Sequence, residues 1–251
     1  MCGRFVSATP PAVLADTFRV DEVKLGGGGG DGGSGGGTGG TGPEPSYNVA
    51  PTDDVIAVAV SKDGHRQLGT FRWGLVPSWA KDMSIGNRMI NLRADTVKDK
   101  PSFRKTLARR RCIIPADGFY EWKDMGKGRK KQPFFIRARS GEPLALAGLW
   151  EVWKDREQQD AEWLKSCTII TTEPNALLAP IHDRMPVVLP PSVWDVWLDP
   201  ANDDVAELEK LLVPAPEDLL ELYPVSPEVN SVQNNGAQLV IPLEGHEAEP
   251  D

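Results

Sequence analysis

Cys112-Ile113-Ile114-Pro115-Ala116-Asp117-Gly118-Phe119-Tyr120-Glu121-Trp122 reads as strand, turn, strand: an apolar run and an aromatic run break at Asp117-Gly118, a pair suited to a turn. Outward from it the same pattern recurs. Residues 55–61 and 67–73 form two strands joined by Lys62-Asp63-Gly64, a hairpin signature. Further strands fit 132–137, 144–152, 166–172 and 187–189, with a polar hairpin tip over 154–160 and a last strand pair over 222–226 and 238–241. Proline-led helices fit 10–20 and 101–111, and short helices fit 174–181, 191–198 and 203–212. Many short strands with scattered helices and no βαβ alternation predict an α+β fold, a single domain built on an antiparallel, barrel-like β-sheet with peripheral short helices.

A chain of 251 residues, 40% hydrophobic and 25% charged, is long enough for one substantial core. That domain is expected over 2–242. Within it, 26–42 is nearly pure glycine and is expected to be a flexible insertion; the GxGxxG pattern matches there trivially and no apolar strand precedes it, so a dinucleotide site is excluded. The acidic stretch 243–251 is expected to be a disordered tail. No basic-then-apolar leader and no run of 18 apolar residues is present, which argues against secretion and membrane insertion and for a cytoplasmic protein. Three cysteines and three histidines are scattered without CxxC or HxxxH spacing, so no metal site is expected and a reducing compartment fits.

The net charge of −8 is unevenly spread. From Asp195 onward fourteen acids meet one base, a local −13 that leaves +5 for the rest. Between Arg88 and Arg139 sixteen bases meet five acids, dense enough to neutralise several phosphates, although a solvated helical face with a lysine-rich hairpin tip explains it equally well.

Removal of Met1 would leave Cys2 with a thiol and a free α-amine on adjacent carbons. This 1,2-aminothiol condenses with an aldehyde and then closes a five-membered thiazolidine, a reaction closed to internal cysteines. Position alone leaves the alternative of an inert Met-Cys start. Glu121 between Tyr120 and Trp122 is either a residue of a solvated strand face or a carboxyl whose pKa aromatic neighbours raise toward neutrality. His182 is a capping residue or an acid–base group, and Asn91 between Ile90 and Leu92 is a buried amide with a hydrogen-bonding task. Arg4, Arg93 and Arg184 accompany Cys2, Asn91 and His182 in sequence, and their forks suit phosphate oxygens if those segments converge.

Met-Cys-Gly-Arg-Phe (1–5), Tyr-Asn-Val-Ala-Pro-Thr (47–52), Trp-Gly-Leu-Val-Pro-Ser-Trp (73–79), Ile-Asn-Leu-Arg-Ala-Asp (90–95), Ala-Asp-Gly-Phe-Tyr-Glu-Trp (116–122), Pro-Ile-His-Asp-Arg-Met-Pro (180–186) and Pro-Val-Ser (224–226), in this order, closely resemble the SRAP family of SOS-response-associated peptidases and abasic-site-shielding proteins. The resemblance implies a thiol autopeptidase that loses Met1 and a DNA-repair protein. Its mature Cys2 would form a thiazolidine crosslink with the aldehyde of an abasic site in single-stranded DNA, with lyase-type chemistry at the same site. By the same resemblance Cys2 is the nucleophile, Asn91 positions the amine or substrate, Glu121 exchanges protons and His182 assists Schiff-base formation and reversal. Arg4, Arg93 and Arg184 bind phosphates, Asn48 and Pro51 shape the pocket, and Trp73 and Trp79 line the DNA path. No cofactor is implied, and the protein is expected to act as a monomer, at the nucleoid if bacterial. Ser78 replaces an aromatic residue of some relatives. Competing readings are an N-terminal-nucleophile glutamine amidohydrolase and a non-catalytic single-strand-binding module.

Overall fold

The computed structural model describes residues 2–26, 42–158 and 160–243. Its strands are β1 (Phe5–Ser7), β2 (Glu22–Lys24), β3 (Ser46–Val49), β4 (Asp54–Val60), β5 (Arg66–Trp73), β6 (Asn91–Arg93), β7 (Arg111–Ala116), β8 (Gly118–Lys123), β9 (Gln132–Ala138), β10 (Leu144–Trp153), β11 (Leu164–Thr172), β12 (Met185–Pro186) and β13 (Leu220–Pro224). The helices are α1 (Pro11–Thr17), α2 (Ala94–Asp99), α3 (Pro101–Arg109), α4 (Trp194–Leu198) and α5 (Val205–Glu209). Most of the predicted glycine-rich insertion and of the acidic tail, residues 27–41 and 244–251, lies outside the described residues.

The strands β11, β10, β7, β4 and β5 are successive antiparallel neighbours, and β5 returns to pair with β11 in parallel through Arg72 with Ser166 and Trp73 with Cys167. This closes a five-stranded ring, the barrel the strand pattern predicts. Both faces of β4 and β7 are buried. Val55, Ala57 and Ala59 of β4 join one cluster with Cys112 and Ile114 of β7; Ile56 and Val58 join another with Ile113 and with Leu14, Leu107, Trp197 and Leu208 of the helices. Two-sided burial explains why β4 reads as a continuous apolar run rather than an alternation.

A second sheet, in the order β13-β9-β8-β1-β3, packs one face on the ring cluster through Phe5, Phe119 and Ile136. Its other face, with Val6, Tyr120 and Phe135, is covered by Val229 and Leu239 of the C-terminal turns. The stretch 112–122 is the passage between the two sheets: β7 belongs to the ring and β8 to the second sheet. Asp117 holds this corner by accepting hydrogen bonds from Ala8 N, Thr9 N and the Thr9 hydroxyl. Gly118 follows because a Cβ there would overlap the Phe135 ring and the Ile136 carbonyl oxygen.

Four expected elements differ. The 174–181 segment forms consecutive turns instead of a full helix: the Asn175 side chain caps its start by accepting from Leu178 N–H and donates to Ala215 O across the fold, but Pro180 has no N–H for the Ala176 carbonyl. The 238–241 strand is a 3-10 turn, Ala237–Val240, and of 187–189 only a single bridge, Leu146 with Val188, remains. The basic helix ends at Arg109. Arg111, 3% exposed, instead opens β7 and donates to the carbonyls of Leu107, Trp197, Asp199 and Asn202, tying a helix end to α4. No helix among the described residues is long and apolar enough to cross a membrane.

Candidate active site

Four expected residues meet where the ring and the second sheet join, each from a different element. Cys2 precedes β1, whose Phe5 pairs with Phe119 of β8; Tyr120 N–H donates to Arg4 O at 3.0 Å, which lays the N-terminal segment beside Glu121. Asn91 opens β6, which runs parallel to β11 in register with Ile169. His182 lies in the turns before β12, which pairs with the end of the same β11. The strand β11 thus brings Asn91 and His182 to one place, and β8 brings Glu121.

Asn91 Nδ2 donates to Cys2 O at 2.7 Å. Its Oδ1 is buried and has no hydrogen-bond donor among the described residues. Glu121 is 2% exposed, and burial pushes its carboxyl up to about 7. His182 Nε2 lies 3.9 Å from Glu121 Oε2. The Arg184 N–H donates to His182 Nδ1 at 3.1 Å, and Asp183 Oδ1 lies 2.8 Å from the same nitrogen. A neutral ring that accepts at Nδ1 carries its proton on Nε2, toward Glu121; a protonated ring has Asp183 as its counter-ion. Burial lowers the His182 pKa, favouring the neutral ring. Cys2 is fully buried, and burial followed by the Glu121 charge pushes its thiol pKa up, so the sulfur is held as a thiol. The assembly offers an amide clamp on the first residues, a carboxyl that exchanges a proton near neutrality, and an imidazole beside it.

Among the described residues no group of three or more His, Cys, Asp or Glu side chains is placed to hold a metal ion. The match to the family model described as SOS response associated peptidase (SRAP) spans residues 1–232. The chain belongs to the SRAP family. It is 42% identical over 240 residues to the abasic site processing protein YoqW of Bacillus subtilis, covering 96% of this chain and 99% of that one. It is 33% identical to the abasic site processing protein HMCES of Gallus gallus over 80% of this chain and 67% of that one. In structure it resembles a crystallised protein from Bacteroides thetaiotaomicron with a TM-score of 0.78 at 24% identity, over 96% of this chain and all of that one, a likeness of fold.

The expected DNA-contacting residues of this SRAP chain divide by exposure. Trp79 is 65% exposed, whereas Trp73 has no exposed surface: it stacks edge-on against Phe5 with ring centroids 5.1 Å apart and donates from Nε1 to Ile90 O. Trp73 therefore lines no open path; it supports the segment that carries Asn91. Asn48 is buried and donates from Nδ2 to the carbonyls of Val229, Ser231 and Asn234, while its Oδ1 accepts from Arg4 Nη1. Its contribution is to aim Arg4, which also donates to Val229 O. Pro51 is half-buried in the turn between β3 and β4. Arg93 and Arg184 both approach Asp95, Arg93 through Nε and Nη2 and Arg184 at 3.7 Å. Sequence reading passed over Asp95 and the 229–234 carbonyls. The Arg-Ala-Asp spacing hinted at the first; backbone acceptors have no side-chain signature.

Proposed function

We propose that this SRAP protein captures abasic sites in single-stranded DNA through the aminothiol of Cys2, acting as a cytoplasmic monomer once Met1 is removed. Hydrolysis of the Met1–Cys2 peptide bond, the autopeptidase step, releases methionine and leaves the Cys2 α-amine. The neutral amine attacks the ring-opened sugar aldehyde to give a carbinolamine, which takes a proton and loses water to form the Schiff base. The thiol then adds to the imine carbon and its proton moves to nitrogen, closing a thiazolidine; the net change from amine, thiol and aldehyde is loss of one water. The Schiff base is also the species from which lyase-type strand cleavage starts.

What supports this reading is the contact of Asn91 with the Cys2 carbonyl beside a buried carboxyl group. It fixes the backbone that would carry the amine, and the Asn91 Oδ1 acceptor suits an amine donor. Glu121, at about 7, both donates to the departing hydroxyl and accepts from the thiol. A free α-amine has a reference pKa of about 7.7–8.0, so roughly a tenth is neutral at pH 7. Arg4, Arg93 and Arg184 would hold flanking phosphates, and Trp79 would stack on an unpaired base. The test is incubation of the mature protein with a single-stranded oligonucleotide bearing one abasic site. A heat-stable crosslink that Cys2→Ala loses is expected; a Cys2→Ala protein that crosslinks as well as wild type, or a mature protein that retains Met1, refutes the reading.

A further inference from the structure

The dense basic segment singled out in the sequence is not used by the chemistry above, and the fold places part of it along a groove. One wall is α3 and the residue after it, with Lys105, Arg109 and Arg110; the opposite wall is the loop that carries Trp79, and the cavity between them measures about 300 Å³. A second cavity of about 520 Å³ continues from it, sharing Ser78 and Arg110 and adding Lys154, Arg156 and Trp163 from the β10–β11 hairpin tip. Arg156 Nη2 lies 3.5 Å from Ser78 O, and Trp153 Nε1 donates to Ala80 O at 2.8 Å, so the hairpin tip and the Trp79 loop are joined. Trp163 is 66% exposed, as open as Trp79.

With the Glu151–Arg110 pair set aside, the two cavities are lined by four cations, Lys105, Arg109, Lys154 and Arg156, and one acid, Asp155; Arg109 has Asp203 at 3.8 Å on the exposed side. This cationic surface stands out in a chain of net charge −8. Its exposed aromatic surface comes as two separate indoles set among cations. That suits planar bases carried on a charged backbone, where a continuous apolar segment of a protein partner would want an unbroken apolar floor.

We propose that this groove binds a single-stranded stretch of the nucleic acid whose abasic site reacts at Cys2, with Trp163 as a second stacking platform beyond Trp79 and with Lys105, Arg109 and Arg156 against phosphates. The proposal rests on the DNA reading above and extends it to a longer footprint. It assigns a binding role to the hairpin tip that the chemistry at Cys2 does not require.

The test is fluorescence anisotropy with undamaged oligothymidylates of about 20 and about 5 nucleotides, bracketing the span of one single-strand site. Undamaged DNA has no aldehyde, so the measurement does not depend on crosslinking. Wild type is expected to prefer the longer strand, and Trp163→Ala to weaken its binding by about fivefold or more while changing the shorter strand's little. Trp163→Phe, which keeps a ring, should retain most of the preference, and Arg109→Gln with Arg156→Gln should lower the salt slope for the longer strand by about 1.4. Equal binding of the longer strand by Trp163→Ala and wild type overturns the groove while leaving the DNA reading intact. Failure of wild type to bind either strand overturns both.

Discussion

Two carboxyl groups, Glu121 on β8 and Glu151 on β10, are almost equally buried at 2% and 8% exposure, yet the fold treats them in opposite ways. Glu151 is met by the Arg110 guanidinium, which also lies over the Trp150 ring, and by the Thr106 hydroxyl at 3.2 Å. Glu121 is met by an imidazole 3.9 Å away, and burial carries its carboxyl up to about 7. Burial of a carboxylate therefore does not mark a reactive site by itself. Glu151 sits against a guanidinium and a hydroxyl, whereas Glu121 faces an imidazole whose own pKa burial lowers, and it is the Glu121 carboxyl that burial pushes toward neutrality.

The sharpest way to break this comparison is to neutralise each group in turn. Glu121→Gln is expected to slow crosslinking at saturating DNA by about 100-fold or more, the usual weight of a positioned acid–base group. Glu151→Gln is expected to leave that rate unchanged and to lower stability by about 2–3 kcal/mol, because Arg110 loses its anion in a partly desolvated place. Gel-resolved crosslinking and thermal denaturation of both variants decide it. If Glu151→Gln slows crosslinking as much as Glu121→Gln, the contrast is wrong.

The pH dependence should follow Glu121. Its folded value of about 7 lies above the ordinary 4.5, so between those values the folded chain keeps a proton that the unfolded chain releases. That contribution to stability is complete below the ordinary carboxyl range and is lost as pH rises through about 7. Glu121→Gln removes the dependence, so its stability relative to wild type should improve between about pH 5 and about pH 8 by on the order of 3 kcal/mol. Over the same range the wild-type crosslinking rate should form a bell near pH 7. In Glu121→Gln the bell should give way to a rise that follows deprotonation of the α-amine at about 7.7–8.0. A bell that survives the substitution would assign the proton exchange elsewhere, with His182 the first candidate.

Much of this was legible in residue order, and the rest was hidden for identifiable reasons. The stretch 112–122 announces two strands and a corner, but a corner between two sheets and a hairpin turn look alike locally; the difference lies in Phe135 and in the Ala8-Thr9 backbone that Asp117 grips. The 174–181 segment has helical apolar spacing, but Pro180 withholds the N–H that a further turn needs. The barrel was foreseeable from strand count, whereas its parallel closure by β5 and β11 joins residues about a hundred positions apart and leaves no local trace. Asn91, Glu121 and His182 could be picked out as polar residues in apolar surroundings, but only the ordered motifs brought them together. Arg111 shows the opposite error: it counts as part of a basic block and is spent on four backbone carbonyls.

A second contrast, between a sealed and an exposed side chain, separates two tryptophans of one segment, with smaller effects on activity. Trp73 is sealed in the core and bonded to Ile90 O at 2.9 Å; Trp79 presents most of its indole to solvent. Trp79→Ala should weaken binding of undamaged single-stranded DNA by about fivefold and leave the melting temperature unchanged, since it removes a stacking face and little packing. Trp73→Phe should do the reverse, costing about 2–3 kcal/mol of stability through the orphaned Ile90 carbonyl and the space the indole leaves, while leaving that affinity unchanged. Because Ile90 adjoins Asn91, Trp73→Phe should also slow crosslinking slightly at saturating DNA, a loss that Trp79→Ala does not share. Parallel anisotropy, melting and crosslinking measurements separate the two, and an affinity loss in Trp73→Phe equal to that in Trp79→Ala would place the buried indole on the DNA path after all.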